Sequence, residues 1–105
     1  MEMEKNENLI QFAQFHDMLD DVDIHIINLL IERLRICKNI AEIKLKMNDK
    51  SIHRQTRNER VLIDIARKYP KEYRTYIMNI YKAIIESEED YQACVMADIL
   101  NENSN

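Results

Sequence analysis

Glycine is absent from this chain of 105 residues, proline occurs once, at position 70, and tryptophan is missing. Without glycine and with few consecutive β-branched residues, tight hairpins and strands have little support. No apolar run approaches the roughly 18 to 20 residues that span a bilayer. The start, MEMEKNEN, is too acidic and polar for a signal peptide. These absences predict an all-α protein in the cytoplasm that makes no use of a membrane.

Cysteine is also scarce, with Cys37 and Cys94 as the two examples. Neither belongs to a CxxC or Cys/His pattern with the spacing of metal ligands. Both fall within helical patterns, so we expect small buried hydrophobic side chains rather than disulfide partners. We expect no metal and no other cofactor.

The net charge of −4 argues against a nucleic-acid partner, because such binding uses many Lys and Arg contacts to phosphate. The charge is nevertheless uneven. Residues 44–60 contain six Lys or Arg and two acidic residues, a local +4, so the remainder carries −8. A compact basic segment in an acidic chain favours a small anionic ligand.

Apolar residues at helical spacing predict three helices: a very long first, a short second and a long third. The first stripe runs from Leu9 to Met47, which implies about 38 residues and nearly 60 Å of helix. After the polar stretch NDKSIHRQ, Thr56 has the form of a helix start, and Pro70 ends the second helix. The third covers about 71–100. Residues 8–100 are thus one domain between disordered polar tails at 1–7 and 101–105.

The length of the first helix predicts the assembly. A compact monomer of this size has a diameter of roughly 33 Å, and the predicted helix is almost twice as long. Its apolar stripe persists to both ends, so the overhang needs a second surface, and another copy of the same helix supplies one. We expect an intertwined homodimeric bundle; a simple antiparallel coiled coil is the alternative.

Two cations interrupt the apolar stripe. Arg33 takes a position of the seven-residue repeat that apolar residues fill elsewhere, and Lys44, eleven residues later, points within about 20° of the same direction. A buried unpaired charge costs several kcal/mol. These side chains must therefore reach solvent, pair across a dimer or face an anionic ligand. The polar gap around Glu88 and Gln92 in the third helix favours a ligand.

The residues also resemble a family. The segments ERLRICKNIAEIK, RQTRNERVL and IYKAIIESEEDYQ, in that order and spacing, are similar to motifs of the all-helical, type II chorismate mutases. The resemblance covers about residues 12–95. It implies a three-helix chain wound into a homodimer.

The resemblance also implies a reaction, the rearrangement of dianionic chorismate to prephenate, and with it a place in the shikimate pathway and aromatic amino-acid biosynthesis. Arg33 would bind a substrate carboxylate and Arg57 would help to position the dianion. Lys44 and Gln92 would donate hydrogen bonds to the ether oxygen of the bond that breaks. Such a reaction needs no nucleophile, general base or metal; it needs a compact conformer and stabilisation of growing negative charge.

Four matched positions depart from the family pattern. His16 stands where the family has an arginine that is contributed from the neighbouring subunit. Arg54 stands where the family has an aspartate. Asn58 stands where the family has a glutamate, and Glu88 stands where it has a serine, unless Ser87 takes that place. These changes all concern the ligand. They leave open an isochorismate-pyruvate lyase or an aminochorismate mutase on the same fold, or a non-catalytic helical dimer.

Overall fold

The computed structural model describes residues 2–52 and 55–103, and within those ranges it contains three helices and no strand. They are α1 (Glu2–Lys46), α2 (Gln55–Lys68) and α3 (Lys71–Asn103). The predicted all-helical, long–short–long order is confirmed. The chain divides into an N-terminal unit, Met1–Arg33, and a C-terminal unit, Leu34–Asn105. The C-terminal unit contains the end of α1 and all of α2 and α3.

The helices extend further than the predicted polar tails allow. α1 already includes residues 2–7, and α3 continues to Asn103. Neither segment contains glycine or proline, and Glu, Met and Lys have high helix propensity. Glu2 and Glu4 also lie in the first turn, where their negative charge interacts favourably with the helix dipole and stabilises the helix. Polarity alone was therefore a poor reason to end these helices.

The break between α2 and α3 lies where proline was expected to place it. α2 ends at Lys68 and α3 begins at Lys71, with the Tyr73 N–H donating to the Pro70 carbonyl at 3.1 Å. The start of α2 differs from the prediction. The helix begins at Gln55, so Thr56 is inside it and is not the residue that precedes its first turn.

α1 ends in a Schellman motif centred on Asn48. Asn48 has φ 61°, the left-handed conformation, and its N–H donates to the Leu45 carbonyl at 3.1 Å. The Asp49 N–H donates to the Lys44 carbonyl at 2.8 Å. Asparagine tolerates this conformation better than other residues with a side chain, apart from aspartate, which explains how a chain without glycine can end the helix sharply.

Replacing Asn48 with alanine is expected to lower the free energy of unfolding by about 1 kcal/mol, because left-handed backbone costs ordinary residues roughly 1–2 kcal/mol. Asn48→Gly should not lower it. Asn39→Ala is the matched control, since Asn39 is exposed inside α1 and alanine has the highest helix propensity. Urea unfolding at one fixed protein concentration measures all three. Equal stability of Asn48→Ala and Asn39→Ala would contradict this account of the turn.

The N-terminal unit is a stretch of α1 with a row of exposed large apolar side chains. They recur every three or four residues, so they share one side of the helix. This exposed stripe consists of Leu9, Phe12, Phe15, Leu19, Val22, Ile26 and Leu29. A contiguous apolar surface of this kind marks a site of association.

The core of the C-terminal unit forms where the end of α1 packs against α3. Ala41 is fully buried beside Val95 and Met96. Leu45, Ile52, Tyr91 and Ile99 pack around this cluster. The core thereby fixes α1 and α3 against each other next to the polar residues described below.

The cysteines differ from the prediction. Cys37 is half-buried and Cys94 is exposed, and neither is in a disulfide. Neither is therefore the buried hydrophobic side chain that its helical pattern predicted, because an apolar period identifies a face without showing how deeply it is covered. Among the described residues, no helix is both long and apolar enough to span a membrane.

Candidate functional site

Three polar side chains are buried in the part of the chain whose burial is described, and all three come from the predicted site. Lys44 is 4% exposed, Gln92 8% and Glu88 9%. Polar groups that are removed from water normally require specific partners or a function. Three of the residues identified from motif spacing are thus protected from solvent by the fold.

Lys44 lies in the last turn of α1, and its side chain extends to the turn that follows the helix. Its Nζ donates to the main-chain carbonyl of Ser51 at 2.8 Å. A lysine side chain is long and flexible, and burial together with this hydrogen bond holds its charge in one place. Of the alternatives considered from sequence, exposure to solvent is excluded for Lys44.

Gln92 connects α3 to α1. Its Nε2 donates to the main-chain carbonyl of Cys37 at 3.2 Å. Gln92 lies one turn before the core residues Val95 and Met96 on the same side of α3. Because the core packs that side against Ala41, the amide of Gln92 is held at the junction of the two helices.

Glu88 lies one turn before Gln92 on α3, next to Ser87. Glu88 is buried, whereas Ser87 is exposed. The side chain that the fold covers at this point of the third-helix motif is therefore the carboxyl group of Glu88 and not the hydroxyl of Ser87. This is a substantial change of chemistry from the serine in the family pattern.

Asn58 joins α2 to α3. Its Nδ2 donates to Oε1 of Glu89 at 2.7 Å, and both residues are half-buried. Glu89 is not among the residues that the sequence motifs select. Glu86, Glu88 and Glu89 are neighbours in the sequence, and no spacing rule says which of them reaches a residue on another helix.

The remaining predicted residues are placed differently. Arg57 is exposed on α2. Arg33 is half-buried and ends the N-terminal unit. His16 is exposed in the N-terminal unit, with its ring 4.4 Å from that of Phe12 in an edge contact. Arg54 lies outside the described residues.

A cavity of about 400 Å³ between α2 and α3 is separate from this polar group. It is lined by Val61, Asp64, Ile65, Lys68, Tyr69, Ile77 and Tyr81. None of these is a predicted site residue. Within residues 2–52 and 55–103, no three His, Cys, Asp or Glu side chains are grouped so as to hold a metal ion.

Comparison with known proteins identifies one family. A family model described as chorismate mutase type II matches residues 15–93, which is most of the chain. The match includes the three buried polar residues, Lys44, Glu88 and Gln92. No curated protein and no solved structure matches the chain.

Proposed function

Since the chain belongs to the chorismate mutase type II family, we propose that it converts chorismate to prephenate. It would do so in the cytoplasm, in the biosynthesis of aromatic amino acids. The observation that carries the proposal is the burial of Lys44, Glu88 and Gln92, the polar residues that the family motifs also select. A helical scaffold with no ligand has little reason to bury a lysine and an amide next to its core.

The proposed chemistry uses charge and shape alone. Chorismate is a dianion, and its ether bond breaks as a carbon–carbon bond forms within the same molecule. Arg33 and Arg57 bind the carboxylates and hold the compact conformer, for which the planar guanidinium is well suited. Lys44 and Gln92 donate hydrogen bonds to the ether oxygen, where negative charge grows in the transition state. Donors held in advance stabilise that charge with little reorganisation.

The active unit is proposed to be a homodimer. The exposed stripe of the N-terminal unit supports this, since seven large apolar side chains there are each about half exposed or more in the single chain. A second copy offers the same stripe and would cover it symmetrically. In such an assembly, His16 of one chain takes the place of the arginine that relatives contribute to the neighbouring site.

Lyase activity on isochorismate, with loss of pyruvate, is the second candidate. The buried carboxyl of Glu88 and the link between Asn58 and Glu89 support it, because both are changes at positions that the resemblance assigns to ring contact. A carboxyl group instead of a serine would favour a substrate with a differently placed ring hydroxyl.

One assay distinguishes these activities. Purified protein is incubated with chorismate, and the loss of the diene ultraviolet absorbance is followed above the spontaneous rate. Chromatography with mass spectrometry then identifies the product, which should be prephenate. A parallel reaction with isochorismate is tested for released pyruvate. If pyruvate is released from isochorismate and no prephenate is formed from chorismate, the protein is a lyase and not a mutase. If neither substrate is turned over, the interpretation that is left is a non-catalytic dimer.

A further inference from the structure

The turn after α1 forms hydrogen bonds with both the main chain and the side chain of Lys44. The main-chain carbonyl of Lys44 accepts the Asp49 N–H at 2.8 Å, and its ammonium group donates to the Ser51 carbonyl at 2.8 Å. The turn and the lysine side chain therefore form one closed unit. Moving the turn would move the acceptor of the ammonium group.

Asp49 organises this turn. Its Oδ1 accepts hydrogen bonds from the Ser51 N–H at 2.9 Å and from the Ser51 hydroxyl at 2.6 Å. An aspartate that bonds the backbone two residues later fixes the intervening peptide in a turn. Because both donors belong to Ser51, the carboxylate orients that residue and with it the Ser51 carbonyl.

We propose that Asp49 is a positioning residue for Lys44, a role that rests on the proposed mutase function. The carboxylate holds Ser51, and the Ser51 carbonyl holds the ammonium group. Electrostatic stabilisation of a transition state depends on donors that are already in place, and a misplacement of about 1 Å can cost 10²-fold in rate. Asp49 itself has no contact with the substrate in this scheme.

This role predicts a loss of rate without a loss of binding. Asp49→Ala is expected to lower kcat for chorismate about tenfold or more, with KM changed by less than about threefold, because Lys44 acts mainly on charge that appears in the transition state. Asp49→Asn should recover most of kcat, since the amide oxygen can accept the same two bonds. Asp98→Ala, which removes an exposed acidic residue from α3, is the control for lost charge and should match the wild type.

Two kinetic results would overturn the proposal. One is an Asp49→Ala variant with the kcat of the wild type. The other is an Asp49→Asn variant as impaired as Asp49→Ala, because the negative charge and not the geometry of the turn would then be responsible. Circular dichroism checks that each variant is folded.

A second measurement needs no turnover. Amine labelling by reductive methylation, with site-resolved mass spectrometry, gives the reaction rate of Lys44 relative to the exposed Lys46. In the wild type Lys44 should react far more slowly, and in Asp49→Ala its rate should rise several-fold while that of Lys46 is unchanged. Unchanged Lys44 labelling would refute the positioning role even in an active enzyme. A wild type that leaves chorismate unchanged would refute the function alone.

Discussion

Replacing Lys44 with methionine is expected to lower kcat/KM for chorismate by about 10²- to 10³-fold, the usual effect of removing one transition-state donor. Lys44 is 4% exposed, so its ammonium group acts where water screens charge poorly. Methionine has a similar shape and no charge. The variant therefore removes the electrostatic contribution without opening a large cavity.

The control for this substitution lies two residues further along. Lys46→Met makes the same chemical change at an exposed position in the last turn of α1 and should keep at least about half of the wild-type activity. Initial rates from the ultraviolet assay, with circular dichroism on each variant, provide the comparison. A Lys44→Met enzyme with nearly wild-type kcat/KM would remove Lys44 from the proposed mechanism.

Introducing glutamate into the exposed stripe is expected to dissociate the proposed homodimer. In the Leu19→Glu variant, each of the two copies would place a carboxylate in the interface, and burying each ion costs several kcal/mol of binding free energy. The dissociation constant should rise by at least about 10³-fold. Sedimentation velocity over a range of protein concentrations measures it. Activity should fall with the dimer, because the site would lose His16 of the second chain.

Asn28→Glu is the matched control for the interface. Asn28 is exposed on the same stretch of α1, about 140° around the helix from the middle of the stripe. This variant introduces the same charge and should remain dimeric and active. A wild-type chain that is monomeric at micromolar concentration would contradict the dimer, whether or not it is active.

The helices were predictable because their causes are local. No glycine or internal proline interrupts residues 2–46, and Pro70 separates α2 from α3 through its own ring. The ends were less predictable. Asn48, Glu2 and Glu4 are all polar, yet Asn48 ends α1 whereas Glu2 and Glu4 lie in its first turn. Backbone conformation at one residue made that difference.

The candidate site was predictable in part. An arginine followed eleven residues later by a lysine selects Lys44, and the third-helix motif selects Gln92, because a helix places such spacings on one face. The choice between Ser87 and Glu88 needed the packing of α3, since neighbouring residues point about 100° apart and the stripe leaves both near its edge.

Other contacts had no sequence signal. Asn58 reaches Glu89 across 31 residues, and Gln92 reaches the Cys37 carbonyl across 55. The acceptor of the Lys44 ammonium group is a main-chain carbonyl, which every residue possesses. Only the aspartate and serine at 49 and 51 form a pattern that turn chemistry could have identified in advance.

The sequence by itself determined three helices, their order and the identity of the polar residues at helical spacing, because these depend on neighbours within a few turns. The order and spacing of its motifs along the chain indicated the family. Tertiary structure alone decided how deeply Lys44, Glu88 and Gln92 are buried and which backbone carbonyls accept hydrogen bonds from Lys44 and Gln92. Burial and long-range hydrogen bonds depend on which helix faces meet. That is settled by packing between residues far apart in the chain, and not by any local pattern.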